Sequence, residues 1–119
     1  MAAIQNHAAS TPGIEVCGLL FGADGRIEGV LPTANVASNP ATAFEIDPAA
    51  LFAAHRAARG GGPALIGHYH SHPSGSAEPS ACDLAAAEPG KLWLILCGGA
   101  ARLWRAGHGG FEEMALQVV

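Results

Sequence analysis

The hydrophobic residues of this chain fall into short runs separated by glycine, proline and other turn-forming residues, a pattern typical of a β-sheet. Two such runs, joined by a turn at 23–25, predict a hairpin of strands 14–21 and 26–36. Residues 38–42 are typical of a loop. Further apolar runs predict five more segments of sheet, namely a brief strand at 43–46, a strand beginning at 64 and ending at His70, and three closing strands at 92–97, 101–105 and 111–118.

Helices are predicted where start and stop signals bracket a run of helix-forming residues. A short helix is expected over residues 2–9, and a longer one begins at Asp47-Pro48, runs to about Arg59 and ends at the glycines 60–62. A third helix begins at Ser80. Ser80 and Asp83, three positions later, resemble a capping box with Asp in place of Glu. The elements predict an α/β (mixed α+β) fold, with a central mixed β-sheet flanked by a few helices.

Composition narrows the class of protein. At 119 residues the chain is about one domain long, so residues 1–119 are expected to form a single domain. Since 50% of the residues are hydrophobic and 13% are charged, the chain has enough apolar side chains for a core and too little charge for disorder. No run approaches the roughly 18 apolar residues of a membrane helix. A net charge of -4 argues against a nucleic-acid partner.

The cysteines and the first residues predict where the protein works. Cys17, Cys82 and Cys97 are an odd number at no disulfide-like spacing, and residues 1–10 lack the Lys or Arg of a signal peptide. Both observations favour a reduced, cytoplasmic location.

Two histidines at the end of a predicted strand indicate a metal site. His70 and His72 point the same way, because strand side chains repeat every two residues, so both imidazoles can converge on one ion. The loop 73–79 then returns the chain to a helix whose first turn carries Asp83. Two His nitrogens and one carboxylate form the three-ligand set of catalytic zinc, which lowers the pKa of its open-site water toward about 7. This ligand set also admits other divalent ions.

Glu15 and Ser80 are the candidate catalytic residues. Glu15 lies within the apolar run 14–22, where a carboxylate is costly unless it is partnered or useful. Beside a metal-bound water it would take the proton and return it to the leaving amine. The hydroxyl of Ser80 could stabilise the developing oxyanion. The alternatives are a surface Glu15 on an edge strand and a Ser80 that only caps a helix.

These motifs resemble the JAMM (MPN+) family of zinc metallopeptidases, in particular its small prokaryotic members. The metal motif is His-Ser-His-Pro followed by Ser80 and Asp83 at the family spacing. Further matches are Pro-x-x-Glu-x-Cys-Gly-Leu-Leu-x-Gly over 12–22, Asn39-Pro40, Phe44-x-Ile46-Asp47-Pro48 and Gly67-His68-Tyr69. His68 departs from the family pattern, which has a bulky apolar or aromatic residue there; a packed histidine, an outer-shell group and an alternative ligand all remain open.

The resemblance implies a cytidine-deaminase-like MPN fold with zinc (Zn2+) held by His70, His72 and Asp83. It implies that Glu15 is the general acid/base and that Ser80 stabilises the oxyanion. The implied reaction is hydrolysis of a peptide or isopeptide bond at the C-terminal tail of a ubiquitin-like protein, either a sulfur carrier or a modifier.

Two other functions are compatible with the sequence. The first is a non-catalytic MPN scaffold, in which the fold persists without chemistry. The second is a RadC-like protein associated with DNA repair, although that family commonly has Asn where this chain has Ser71. A homodimer is compatible with the sequence, which does not predict the oligomeric state, the physiological substrate or its cleavage position.

Overall fold

The structure, a computed structural model, describes residues 2–10, 13–23 and 26–116. These residues form three helices and six strands. In chain order they are α1 Ala2–Ser10, β1 Cys17–Ala23, β2 Arg26–Thr33, α2 Pro48–Arg59, β3 Leu65–Ser71, α3 Ala81–Ala86, β4 Leu92–Cys97, β5 Ala100–Gly107 and β6 Gly110–Met114.

One mixed sheet contains all six strands in the order β2-β1-β3-β4-β5-β6. Neighbouring strands are antiparallel except β3 and β4, which are parallel and are joined by a crossover that contains α3. The strand β3 is therefore central, and His70 pairs with Cys17 on one side and Ile95 on the other. β3 and β4 approach closely at Gly67, where a Cβ would overlap the carbonyl oxygen of Leu92.

The two faces of the sheet have different coverings. On one face Ile4 of α1 packs into the main core with Tyr69 and Leu94, and His7 Nδ1 lies 2.8 Å from the hydroxyl oxygen of Tyr69. On the other face the ring of Phe44 stacks on the imidazole of His70. The chemically interesting side chains of β3 are thus on the face opposite α1.

Most of the predicted elements are confirmed. The hairpin forms as an antiparallel β1–β2 pair. The start of α2 is capped by Asp47, whose carboxylate accepts the N–H of Ala49 at 3.0 Å, and Pro48 occupies the first turn. The capping box of α3 is present. The mixed α+β class is therefore confirmed, and no helix in the described part of the chain is long and apolar enough to cross a bilayer.

Several predicted boundaries were wrong. The first strand begins at Cys17 rather than at 14, because the N–H of Glu15 donates to the carbonyl of Pro40 and not to a neighbouring strand. The second strand ends at Thr33, and the strand expected at 43–46 is only an isolated bridge between Asn35 and Ile46. The last strand ends at Met114 rather than at 118. The predicted breaker at residues 11–12, the turn at 24–25 and residues 117–118 lie outside the described residues.

Candidate metal centre

His70 and His72 lie at the carboxyl end of the central strand. His70 is fully buried, and His72 follows directly after β3 with its N–H donating to the carbonyl of Leu96 at 2.8 Å. This bond extends the parallel ladder by one residue, so the two side chains keep the alternation of a strand. Their Nε2 atoms lie 3.0 Å apart.

Asp83 comes to the same point from the first turn of α3. Its Oδ2 lies 3.2 Å from the Nε2 atom of each histidine and accepts the backbone N–H of Ser80 at 2.8 Å. In return the hydroxyl of Ser80 accepts the N–H of Asp83 at 3.0 Å. The capping box therefore fixes the carboxylate that faces His70 and His72.

The donor set fits a divalent cation. His72 Nδ1 lies 2.8 Å from the carbonyl of Ser76, which assigns its proton to Nδ1 and leaves the Nε2 lone pair facing His70 and Asp83. Three electron-pair donors separated by 3.0–3.2 Å repel one another unless a proton or a cation lies between them. Tetrahedral ligands of zinc are about 3.3 Å apart. His70, His72 and Asp83 could thus hold such an ion.

Glu15 lies beside this set in a buried position. A carboxylate oxygen of Glu15 and one ring nitrogen from each of His70 and His72 all lie within 4.8 Å of one another. Asp83 makes the shorter contacts, at 3.2 Å, and is the better third ligand for a tetrahedral ion. Glu15 Oε1 has no hydrogen-bond partner among the described residues, and a buried, unpartnered carboxylate is typical of a functional group.

The surroundings of Glu15 and Asp83 shift the pKa values of these two carboxylates in opposite directions. Burial raises the pKa of Glu15 to about 7, while the nearby His72 lowers it and Asp83 raises it further. Burial also raises the pKa of Asp83, but hydrogen bonds from His70 and His72 outweigh this effect and hold that pKa well below its ordinary value. One carboxylate is thus kept ionised as a ligand would be, and the other is tuned to exchange a proton near neutral pH.

The pKa values of the two imidazoles are also shifted in opposite directions, although both rings face Asp83. Burial lowers the pKa of His70 and outweighs the opposing contact with Asp83, because the His70 side chain is 0% exposed. His72 is 11% exposed, and its hydrogen bond to Asp83 raises its pKa above the ordinary value. His72 therefore binds a proton more readily than His70 does.

The structure adds contacts to this site that the sequence did not indicate. The ring of Phe44 stacks on His70 with centroids 4.2 Å apart. The indole N–H of Trp104 donates to the carbonyl of Ala77 at 3.0 Å, which anchors the loop carrying Ser76 to β5. No local pattern could have linked Trp104 to a loop that lies 27 positions earlier in the chain.

His68 packs beside the centre. Its ring centroid is 4.3 Å from that of Trp93 and 5.3 Å from that of Phe44, and its Nδ1 has no hydrogen-bond partner in the described part of the chain. Burial, followed by repulsion from His70, lowers the pKa of His68 to about 3. This environment favours the packed histidine among the three alternatives.

Replacing His68 by phenylalanine should reduce the acid sensitivity of the metal-free protein. The unfolded chain binds a proton on His68 below about pH 6.5, whereas the folded protein does so only near pH 3. The free energy of unfolding contributed by this group is therefore fully present above pH 6.5. It is lost at up to about 1.4 kcal/mol per pH unit as the pH falls. Urea unfolding in chelator at several pH values between 6.5 and 4 measures the slope.

The matched control is His55→Phe, since His55 is exposed on α2 and should leave the slope unchanged. An unaltered slope in His68→Phe would show that His68 is protonated in the folded protein as readily as in the unfolded chain.

Comparisons with known proteins agree with this geometry. A family model described as prokaryotic homologs of the JAB domain matches residues 1–107. The chain is 41% identical over 94 residues to a desampylase of Haloferax volcanii, covering 76% of this chain and 68% of the relative. It is 36% identical over 94 residues to a probable TtuB-protein conjugate cleaving protease of Thermus thermophilus, covering 79% of this chain and 62% of the relative.

Solved structures share the fold. The solution structure of protein DSY2949 from Desulfitobacterium hafniense has a TM-score of 0.85 and 29% identity, over 100% of this chain and 88% of that chain. A structure described as JAMM, a metalloprotease-like zinc site in the proteasome and signalosome, has a TM-score of 0.58 and 24% identity, over 99% and 89% of the two chains. The MPN fold implied by the resemblance is confirmed. The chain belongs to the prokaryotic homologs of the JAB domain, the small prokaryotic type of the JAMM/MPN family.

Proposed function

We propose that the protein is a zinc metallopeptidase that hydrolyses the peptide or isopeptide bond at the C-terminal tail of a ubiquitin-like protein. The observation that carries this proposal is the convergence of two imidazole nitrogens and one carboxylate oxygen within 3.2 Å, with a second buried carboxylate beside them. The names of the relatives, a desampylase and a conjugate cleaving protease, support the substrate class.

In this proposal His70, His72 and Asp83 hold the ion. Zinc, when bound, supplies a Lewis acid and a water whose pKa lies near 7. The neutral, buried His70 presents a lone pair, and the His72–Ser76 contact orients the second imidazole. The capping box holds Asp83 through Ser80. His72 and Asp83 are therefore pre-oriented by hydrogen bonds and His70 by the stacked ring of Phe44, which limits the ordering needed on binding.

Glu15 moves the proton. With a pKa of about 7, its carboxylate can accept a proton from the attacking water and then deliver it to the amine nitrogen that leaves. Ser80 would donate its hydroxyl hydrogen to the oxyanion, because the same oxygen accepts the Asp83 N–H and keeps its own hydrogen available. The substrate tail would lie extended and bind by main-chain hydrogen bonds, in the manner of an added strand.

The same proposal covers the setting in which the enzyme works. Residues 1–119 act as one domain, and the net charge of -4 argues against a nucleic-acid partner. Cys17, Cys82 and Cys97 are free thiols, as in a reducing compartment, so we place the enzyme in the cytoplasm.

The decisive experiment uses the zinc-loaded protein and a ubiquitin-fold sulfur carrier that bears a C-terminal peptide extension. The same carrier joined to a lysine side chain serves as the isopeptide substrate. Cleavage at the junction is expected, with loss of activity in a chelator and recovery when zinc is added back. Mass spectrometry of both products identifies the bond that is cut.

Two results would contradict the proposal. A folded protein that binds no added zinc would favour the scaffold function. Zinc binding without cleavage of either substrate would assign the metal centre to another reaction.

A further inference from the structure

We propose that Asn35 is a positioning residue for this reaction, because its side-chain amide fixes both the backbone of Glu15 and the loop that carries Phe44. Asn35 lies two residues after the end of β2 and is half-buried. Its catalytic consequence rests on the proposed function, whereas its contacts can be tested without turnover.

The first contact is with the candidate base. Asn35 Nδ2 donates to the carbonyl oxygen of Glu15 at 2.7 Å, and the N–H of Glu15 donates to the carbonyl of Pro40, also at 2.7 Å. Both backbone polar groups of Glu15 are thus bound by the segment 35–40. Since Glu15 precedes β1, this segment takes the place of the sheet in holding it.

The remaining contacts hold the loop that follows. The second Nδ2 hydrogen of Asn35 is donated to the carbonyl of Ala43 at 3.0 Å, and Oδ1 accepts the N–H groups of Ala37 and Glu45, each at 3.0 Å. Two donations and two acceptances use the full hydrogen-bonding capacity of one amide. Because Ala43 and Glu45 flank Phe44, the same amide fixes the ring that stacks on His70.

This arrangement makes the place of the Glu15 carboxylate depend on Asn35. Glu15 Oε1 has no side-chain partner among the described residues, so the position of its carboxylate follows from its backbone. A displacement of about 1 Å in a reacting group can cost roughly 100-fold in rate. The zinc ligands belong to β3, its C-terminal extension and α3, which the amide does not touch. Loss of the amide should therefore reduce turnover and leave zinc bound.

The test is Asn35→Asp, which keeps the size and both acceptances but removes both donations. The carboxylate would then face the carbonyl oxygens of Glu15 and Ala43, which it can only repel. We expect kcat per zinc-bound enzyme to fall at least about 10-fold, with a smaller change in KM and an unchanged zinc stoichiometry. The matched control is Asn39→Asp, an exposed asparagine of the same loop, which should retain the wild-type kcat.

A second variant and a second measurement keep the inference testable if Asn35→Asp does not fold. Asn35→Ala, assayed well below its melting temperature, should show the same loss of kcat. Amide hydrogen exchange measured by NMR should be slow at Ala37 and Glu45 in the wild type and faster in Asn35→Ala, because their acceptor is gone.

The outcomes separate this inference from the proposed function. If the wild type has no turnover, the proposed function fails and the exchange rates still report on Asn35. Wild-type exchange at Ala37 and Glu45 in Asn35→Ala would overturn the inference. An unchanged kcat in Asn35→Asp, or an equal loss in Asn39→Asp, would overturn it as well.

Discussion

Replacing Glu15 by glutamine should reduce turnover by roughly 10²–10⁴-fold while zinc stays bound. Glutamine has nearly the same shape but cannot accept the proton that a carboxylate with a pKa of about 7 accepts. The compact donor set of His70, His72 and Asp83 is left intact. Zinc content by elemental analysis and single-turnover cleavage of a tail-extended carrier are the two measurements, and both are needed on the same preparation.

The control for this variant is Glu28→Gln, since Glu28 is exposed on the edge strand β2, away from the cluster. It should keep both zinc and activity. Normal turnover in Glu15→Gln would exclude Glu15 as the base. Loss of zinc would instead make Glu15 a ligand, the alternative raised by its place within 4.8 Å of both imidazoles.

The parts of the fold that the sequence predicted well are those with local signals. Asp47-Pro48 marked the start of α2 correctly, because a cap and a first-turn proline act within a few residues. Ser80 and Asp83 marked α3 for the same reason. The strand assignment of Glu15 failed because the apolar run 14–22 is continuous, whereas the hydrogen bonds that decide the strand boundary come from Asn35 and Pro40.

The candidate site was likewise predictable only where its residues carry short-range signals. His70 and His72 were expected to share a face from the two-residue repeat of a strand, and the structure places their Nε2 atoms 3.0 Å apart. The roles of Asp83 and Glu15 came from motif spacing and from the cost of a buried carboxylate. Asn35 and Trp104 could not be found, because each acts across 20 or more positions of the chain, where no periodicity applies.

Replacing Asp83 by alanine should abolish tight zinc binding. Two imidazoles would remain where three ligands are needed, so we expect zinc affinity to fall by more than the 10–100-fold typical of losing an outer-shell partner. The capping box would be lost too, at about 1 kcal/mol of folding free energy. Titration of the metal-free protein with zinc against a chromophoric chelator measures the affinity, and urea unfolding in chelator measures the stability.

The Asp47→Ala variant separates these two effects, because Asp47 also caps a helix through its carboxylate but lies on α2. It should lose a similar free energy of unfolding, about 1 kcal/mol, with unchanged zinc affinity.

If Asp47→Ala and Asp83→Ala lowered the zinc affinity equally, the loss would reflect general destabilisation. If Asp83→Ala kept wild-type affinity, the ligand set would have to be completed by Glu15, whose carboxylate is the other acidic group near both imidazoles. Because Asp83 Oδ2 also accepts the Ser80 N–H, its capping bond and its approach to the imidazoles depend on the same orientation.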